Sequence, residues 1–199
     1  MLARDRISNS KPRYILKANE DMRSTRREIM TTLLALGAGQ SLYSSTLNEA
    51  AWRAYEAVEE AWIRDRHALL VDQSPECSGA AAIDLEIKLV ELQRRGLQFQ
   101  YLVKHSPQQL RGGMWQLSWI PISDASAAKL LALNPVYRRH EEKIRRLTED
   151  LRKHPEYENF HRAQTRLWKT PEYHNSHRRY SARLQDLNRV YGGSAAGAP

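Results

Sequence analysis

The side chains best equipped for chemistry in this chain are histidines and arginines crowded into its last third. His174 and His177 stand three residues apart, which puts both on one helix face. His154 and His161 are spaced by seven, and Glu158 and Glu172 lie close by in sequence. Two imidazoles on one face can hold an ion, but a stable site needs further ligands, and no spacing here fixes a third. There is no His-Glu-x-x-His, and no Cys-x-x-Cys-His for haem attachment. Glu158-Asn159-Phe160-His161 is a single Glu-x-x-His, where a di-iron helical bundle uses two. The sequence therefore predicts no metal site.

Nucleophiles and phosphate cradles fare no better. Cys77 is the one cysteine, which rules out an intramolecular disulfide, and it follows Glu76, whose charge raises a thiol pKa. Gly37-x-Gly39 lacks the third glycine of a dinucleotide loop, and neither a Walker-type Gly-Lys-Ser/Thr nor a Gly-x-Ser-x-Gly elbow occurs. No catalytic residue and no cofactor are expected.

What remains is cationic chemistry. Tyr137, Tyr157, Trp168, Tyr173 and Tyr180 are interleaved with Arg138, Arg139, Arg145, Arg146, Arg162, Arg166, Arg178, Arg179 and Arg183. A guanidinium fork donates two parallel hydrogen bonds to a carboxylate or a phosphate, and an aromatic ring can stack on a base. The tyrosines, however, fall on apolar seams at helical spacing, where an aromatic side chain belongs to a core. The leading expectation is thus a non-catalytic interaction protein. Arg138, Arg139, Arg145, Arg146, Arg162, Arg166, Arg178 and Arg179 would meet the acidic surface of a protein partner. The alternative is a cytoplasmic helical protein that binds nucleic acid with the same arginines.

The charge layout agrees with either. The 199 residues carry a formal net charge of +8. It is distributed as +4 over residues 1–30, −2 over 31–133 and +6 over 134–199, and five of the seven histidines share the last segment. Basic ends attract acidic or phosphate-rich partners through a long-range field. Acidic residues are interspersed among the arginines, so a solvated surface of mixed charge is the plainer account of the same pattern.

Helices must position these groups. Leu47, Ala51, Ala54, Val58 and Ala61 step by fours and threes, with Trp52, Tyr55 and Trp62 beside them, predicting a helix from about 46 to 71. Thr46 and Glu49 match a capping box at its start, and Gln73-Ser74-Pro75 ends it. A second helix is expected over about 80–104, its seam formed by Ala82, Leu85, Leu89, Leu92, Gly96, Phe99 and Val103. Gly96 in that seam implies close approach, with Trp52 or Trp62 as the neighbour. Asp84 with Lys88 and Glu91 with Arg95 read as intrahelical i,i+4 pairs. The short connection makes the two helices antiparallel. Residues 105–122 read as an aromatic plug beneath a loop rather than a lone strand, and 124–133 as a short helix.

Further on, Pro135, Pro155 and Pro171 each precede a tyrosine by two positions and a histidine by five or six. Proline suits the first turn of a helix, where its missing N–H would have no partner. Three consecutive short helices follow from this, with seams Tyr137/His140/Ile144/Leu147/Leu151 and Tyr173/His177/Tyr180/Leu184/Leu187/Tyr191.

The segment Ser24-Thr25-Arg26-Arg27-Glu28-Ile29-Met30, followed by a stretch rich in Leu, Ala and Gly, resembles a twin-arginine translocation signal. Arg26 and Arg27 match the paired arginines and Ile29 and Met30 the apolar positions after them. The resemblance covers about a tenth of the chain and implies export across a bacterial plasma membrane in folded form, to a periplasmic or other extracytoplasmic location. The same residues also satisfy an ordinary amphipathic helix, capped by Thr25 and Glu28 and ended at Gly37. Without a working signal the location would be cytoplasmic.

The expected organisation is a flexible tail over 1–23, or an upstream extension of a chain that starts at Met22. A signal or amphipathic helix over 24–45 comes next, then a central helical domain over 46–133, a basic helical region over 134–191 and a disordered tail over 192–199. The expected fold class is all-α: a helical bundle with a long central antiparallel pair and shorter basic C-terminal helices. No stretch approaches the ~20 apolar residues of a membrane-spanning helix.

Overall fold

The computed structural model describes residues 47–110, 114–118, 120 and 122–191. Six α-helices occupy them: α1 (Glu49–Gln73), α2 (Ser78–His105), α3 (Asp124–Leu133), α4 (Pro135–Lys153), α5 (Tyr157–Leu167) and α6 (Pro171–Tyr191). Short 3-10 turns sit at Pro75–Cys77, Pro107–Leu110 and Met114–Ser118, and no strand is present among the described residues. The fold is an all-α bundle, as the periodicity demands.

α1 and α2 form the antiparallel centre. α4 packs along α2 and α6 along α1, so the order of contact is α6–α1–α2–α4, while α5 lies across one end against α1, α2 and α4. Being central, α2 buries two faces. Leu92, Gly96 and Phe99 lie on the expected seam, but Ile87, Val90, Gln98 and Leu102 are buried as well, and Ala82 is exposed. A single seam is the pattern of a helix with one neighbour; α2 has one on each side.

Two cores result. One joins Trp52, Tyr55, Phe99 and Leu102 to Leu110, Met114, Leu117 and Ile120 from the segment after α2, with Leu184, Leu187 and Tyr191 of α6 against it. That segment is a plug, as expected; the buried side chains described in it are aliphatic and methionine, and those of Trp115 and Trp119 lie outside what is described. The other core gathers Leu70, Cys77, Ala80, Ile87, Leu147, Leu151, Phe160 and Leu167 under α5.

Helix ends follow local chemistry with two departures. α1 starts not on Thr46, which lies outside the described residues, but on Asn48, whose Oδ1 accepts from Ala51 N at 3.0 Å. Its end at Ser74-Pro75 is where proline requires it. α2 has no local side-chain cap; Glu156, far along the chain, accepts from Ala80 N at 3.0 Å and places a negative charge at that helix N-terminus. Of the three proline starts, Pro135 and Pro171 open helices of 19 and 21 residues rather than short ones. Pro155 stands in the turn before the 11-residue α5.

Candidate functional site

A part-buried polar cluster lies where α1, α2, α6 and the plug meet. Arg95 donates from Nη2 to Glu59 Oε1 at 3.0 Å and from Nη1 to Tyr55 Oη at 2.9 Å and the Ser118 carbonyl at 3.0 Å. Tyr180 donates to the other carboxylate oxygen, Glu59 Oε2, at 2.5 Å. The Arg95 and Glu59 side chains are only 16% and 13% exposed, so the pair is desolvated and needs every one of these bonds. Burial, then the Glu59 charge, pushes the phenols of Tyr55 and Tyr180 far above the ordinary tyrosine range. Both therefore stay protonated, and Tyr180 remains a donor.

Beside this cluster Trp62 is enclosed by α6. It stacks on Tyr180 with centroids 5.2 Å apart and meets Tyr173 at 5.5 Å and His177 at 5.6 Å. Burial, then His174, lowers the His177 pKa. His177 is thus packed as a neutral ring within the α6 seam, and among the described residues no three His, Cys, Asp or Glu side chains gather as a metal would require. Cys77 is buried and donates its S–H to the Ser74 carbonyl at 3.0 Å; burial, then Glu76 and Glu156, raises its thiol pKa.

The predicted intrahelical pairs are redirected. Asp84 pairs with Arg66 of α1 rather than Lys88, Lys88 pairs with Glu91, and Arg95 pairs with Glu59. Between α2 and α4, Arg94 meets Glu141 at 3.1 Å and Gln98 donates to Tyr137 Oη at 2.9 Å.

The eight arginines expected to meet a partner are all exposed, but they divide. Arg138 donates to the Leu131 and Ala132 carbonyls and so closes the end of α3. Arg145 pairs with Glu149, Arg162 donates to Asn159, Arg166 lies against Ser74 and Glu76, and Arg178 donates to Asn175. Arg139, Arg146 and Arg179 make no ion pair or hydrogen bond among the described residues, and Arg183 joins them. They do not form one surface: Arg139 and Arg146 lie on α4 and Arg179 and Arg183 on α6, helices that flank different members of the central pair. Of the interleaved aromatics, Tyr137 is buried, Tyr157, Tyr173 and Tyr180 are half-buried, and Trp168 is exposed. Arg26 and Arg27 lie outside the described residues.

Sequence reasoning missed the Glu59–Arg95–Tyr55–Tyr180 cluster. Its signal was a carboxylate and an arginine on the inner edges of two helices already expected to pair. A groove of about 310 Å3 also opens beside Trp52, Gly96, Leu97 and Phe99, with Glu56, Gln93, Gln100 and His140 on its sides. No helix among the described residues is long and apolar enough to cross a membrane. Comparison with known protein families, with curated proteins and with solved structures finds no match.

Proposed function

We propose that the chain is a non-catalytic interaction protein, exported through its twin-arginine-like segment, that serves as an accessory to a larger partner with an acidic surface. The observation that carries this reading is the contrast between its inner and outer charges. The desolvated pair Glu59–Arg95 is consumed in holding four elements together, while Arg139, Arg146, Arg179 and Arg183 stand exposed and form no ion pair among the described residues. Guanidinium groups in that state are free to meet carboxylates of another molecule. Acidic Glu142 and Glu149 stand exposed among the α4 arginines, a mixture better matched by a protein surface than by a run of phosphates.

A reporter carrying residues 22–45 tests the export half. It should leave the cytoplasm, and the same fusion with Arg26→Lys and Arg27→Lys should stay inside; identical locations for both would remove export from the proposal.

Trp168, exposed between Arg166 and Lys169 in the chain, favours a second reading, nucleic-acid binding. Binding to duplex and single-stranded nucleic acid, titrated with salt, separates the two. Affinity that falls steeply with ionic strength supports the nucleic-acid reading. No retention at low salt, or retention indifferent to salt, removes it.

A further inference from the structure

Glu49, Trp52, Arg53 and Glu56 stand at i, i+3, i+4 and i+7 on α1, and Gln93, Gly96, Leu97 and Gln100 repeat that spacing on α2. Each set shares one helix face. Together, with His140 of α4, they line the groove of about 310 Å3. Its buried lining is Trp52, Gly96 and Phe99, and its rims are the exposed Glu49, Arg53, Gln93 and Gln100. The indole edge of Trp52 lies 3.3 Å from where a Cβ on Gly96 would stand, so helix backbone and indole make a flat floor.

Charge in the groove is unbalanced. Arg53 is engaged with Glu49 at 3.7 Å. Glu56 is half-buried and makes no ion pair among the described residues. Burial, then Glu60, raises its carboxyl above the ordinary glutamate range, while a hydrogen bond from the Trp52 side chain pulls the other way. Burial, then Lys143 and Arg139, lowers the His140 pKa, so that ring lines the groove uncharged.

We infer that this groove binds a small organic cation with an apolar body: its ammonium pairs with Glu56, and its body lies on Leu97 and the edge of Trp52. An apolar occupant would cover the Glu56 carboxylate and leave it without water or a countercharge, which is costly. An anion would meet that same carboxylate, with Arg53 already engaged. Only a cation relieves the groove of its unmatched charge. The volume is that of a small-molecule site, whereas a protein partner would need a surface of about 800 Å2 on this chain. The groove is separate from the exposed arginines, so its failure leaves the partner-binding reading standing.

The test uses the isotope-labelled full chain and three molecules that share a body and differ in charge: phenethylamine, phenethyl alcohol and phenylacetate. Phenethylamine should shift the Trp52 indole and Gly96 amide NMR signals and bind at least tenfold more tightly than the other two. Glu56→Gln should reduce its affinity to that of the alcohol. Gln93→Lys, which sets a tethered ammonium in the same groove, should weaken it by a similar factor. Unchanged melting of both variants shows that they fold. Equal binding of the three molecules, or a preference for phenylacetate, overturns the choice of a cation. Amine binding that survives both variants, or that shifts other signals only, overturns the groove. No response to the amine up to about 10 mM, in the range of the weakest specific binding, overturns the site. Response to a lysine-rich peptide without response to the free amine overturns the assignment to a small molecule.

Discussion

Glu59 and Tyr180, 121 residues apart, share a hydrogen bond of 2.5 Å that fastens α6 to α1. The bond is strong because its acceptor is ionised and its surroundings are dry, and Arg95 supplies the countercharge on the other carboxylate oxygen. Removing Arg95 would strand that charge. Arg95→Met should therefore cost about 3 kcal/mol of stability, as for other broken buried pairs. The double variant Glu59→Leu/Arg95→Met should lose less than Arg95→Met alone, because no lone charge remains. Tyr180→Phe, which removes one donor to the charged carboxylate, should cost about 2 kcal/mol. Urea unfolding measures all three; an Arg95→Met change within about 0.5 kcal/mol of zero would mean that Glu59 finds water.

Gly96 and Trp52 are the second such pair. A Cβ on Gly96 would lie 3.3 Å from the indole of Trp52. Trp52 is itself stacked on Phe99 at 5.2 Å and tilted against Tyr55, both fully buried, so the ring can retreat only toward the groove beside it and at the expense of those contacts. Alanine gains about 1 kcal/mol of helix propensity over glycine, and overpacking a tight contact costs about 1–3 kcal/mol. Gly96→Ala should thus be destabilising despite the better helix former, by about 1 kcal/mol. Adding Trp52→Phe should recover part of that loss in the same unfolding assay, and a stabilised Gly96→Ala would show that the ring moves.

How legible the molecule is from its sequence depends on the range of the interaction. The bounds of α3 and the stop at Ser74-Pro75 are local, and so is the Gly96 seam that faces Trp52; periodicity and turn chemistry reveal each. Arg95 shows the limit. Glu91, one turn earlier, offers it an i,i+4 partner, and only packing decides that Glu59 on another helix wins. The second buried face of α2, with Ile87, Val90 and Leu102, was likewise hidden, because a helix between two neighbours has no single period. Asn48 is the cap of α1, and residue type alone does not single it out from Thr46 two positions earlier, since both side chains can cap. Among the candidate arginines, residue type is plain in the sequence, but not whether each is spent. Arg138 is consumed by two carbonyls, while Arg139 beside it is not.

Asn134 should matter more than its exposed neighbours. One side-chain oxygen accepts from two backbone N–H groups at the start of α4, at 2.9 and 3.0 Å. Asn134→Ala leaves both to solvent and should cost about 1 kcal/mol, whereas Asn134→Asp, which keeps the acceptor, should cost less. Thermal unfolding checks this. Equal losses in the two variants would show that α4 is held by Pro135 and packing alone.

Acid should loosen the attachment of α6 before carboxylates begin to titrate. His177 lies among Tyr173, Tyr180 and Trp62, and burial, then His174, lowers its pKa from the ordinary 6.5. His140 is lowered likewise by burial, then by Lys143 and Arg139. A histidine whose folded pKa is depressed binds its proton more readily in the unfolded chain, so stability rises with pH across the interval between the two values. Above the unfolded value, near 6.5, the neutral ring carries no penalty; as pH falls below it, stability declines until the folded value is passed. His177→Phe keeps a ring against Trp62 and removes the proton. Its unfolding free energy should fall less steeply than that of the parent chain between pH 7.5 and 5, and His140→Phe should remove a second, independent share of the slope. Parallel pH profiles for the parent and His177→Phe would show that His177 takes up its proton without disturbing α6.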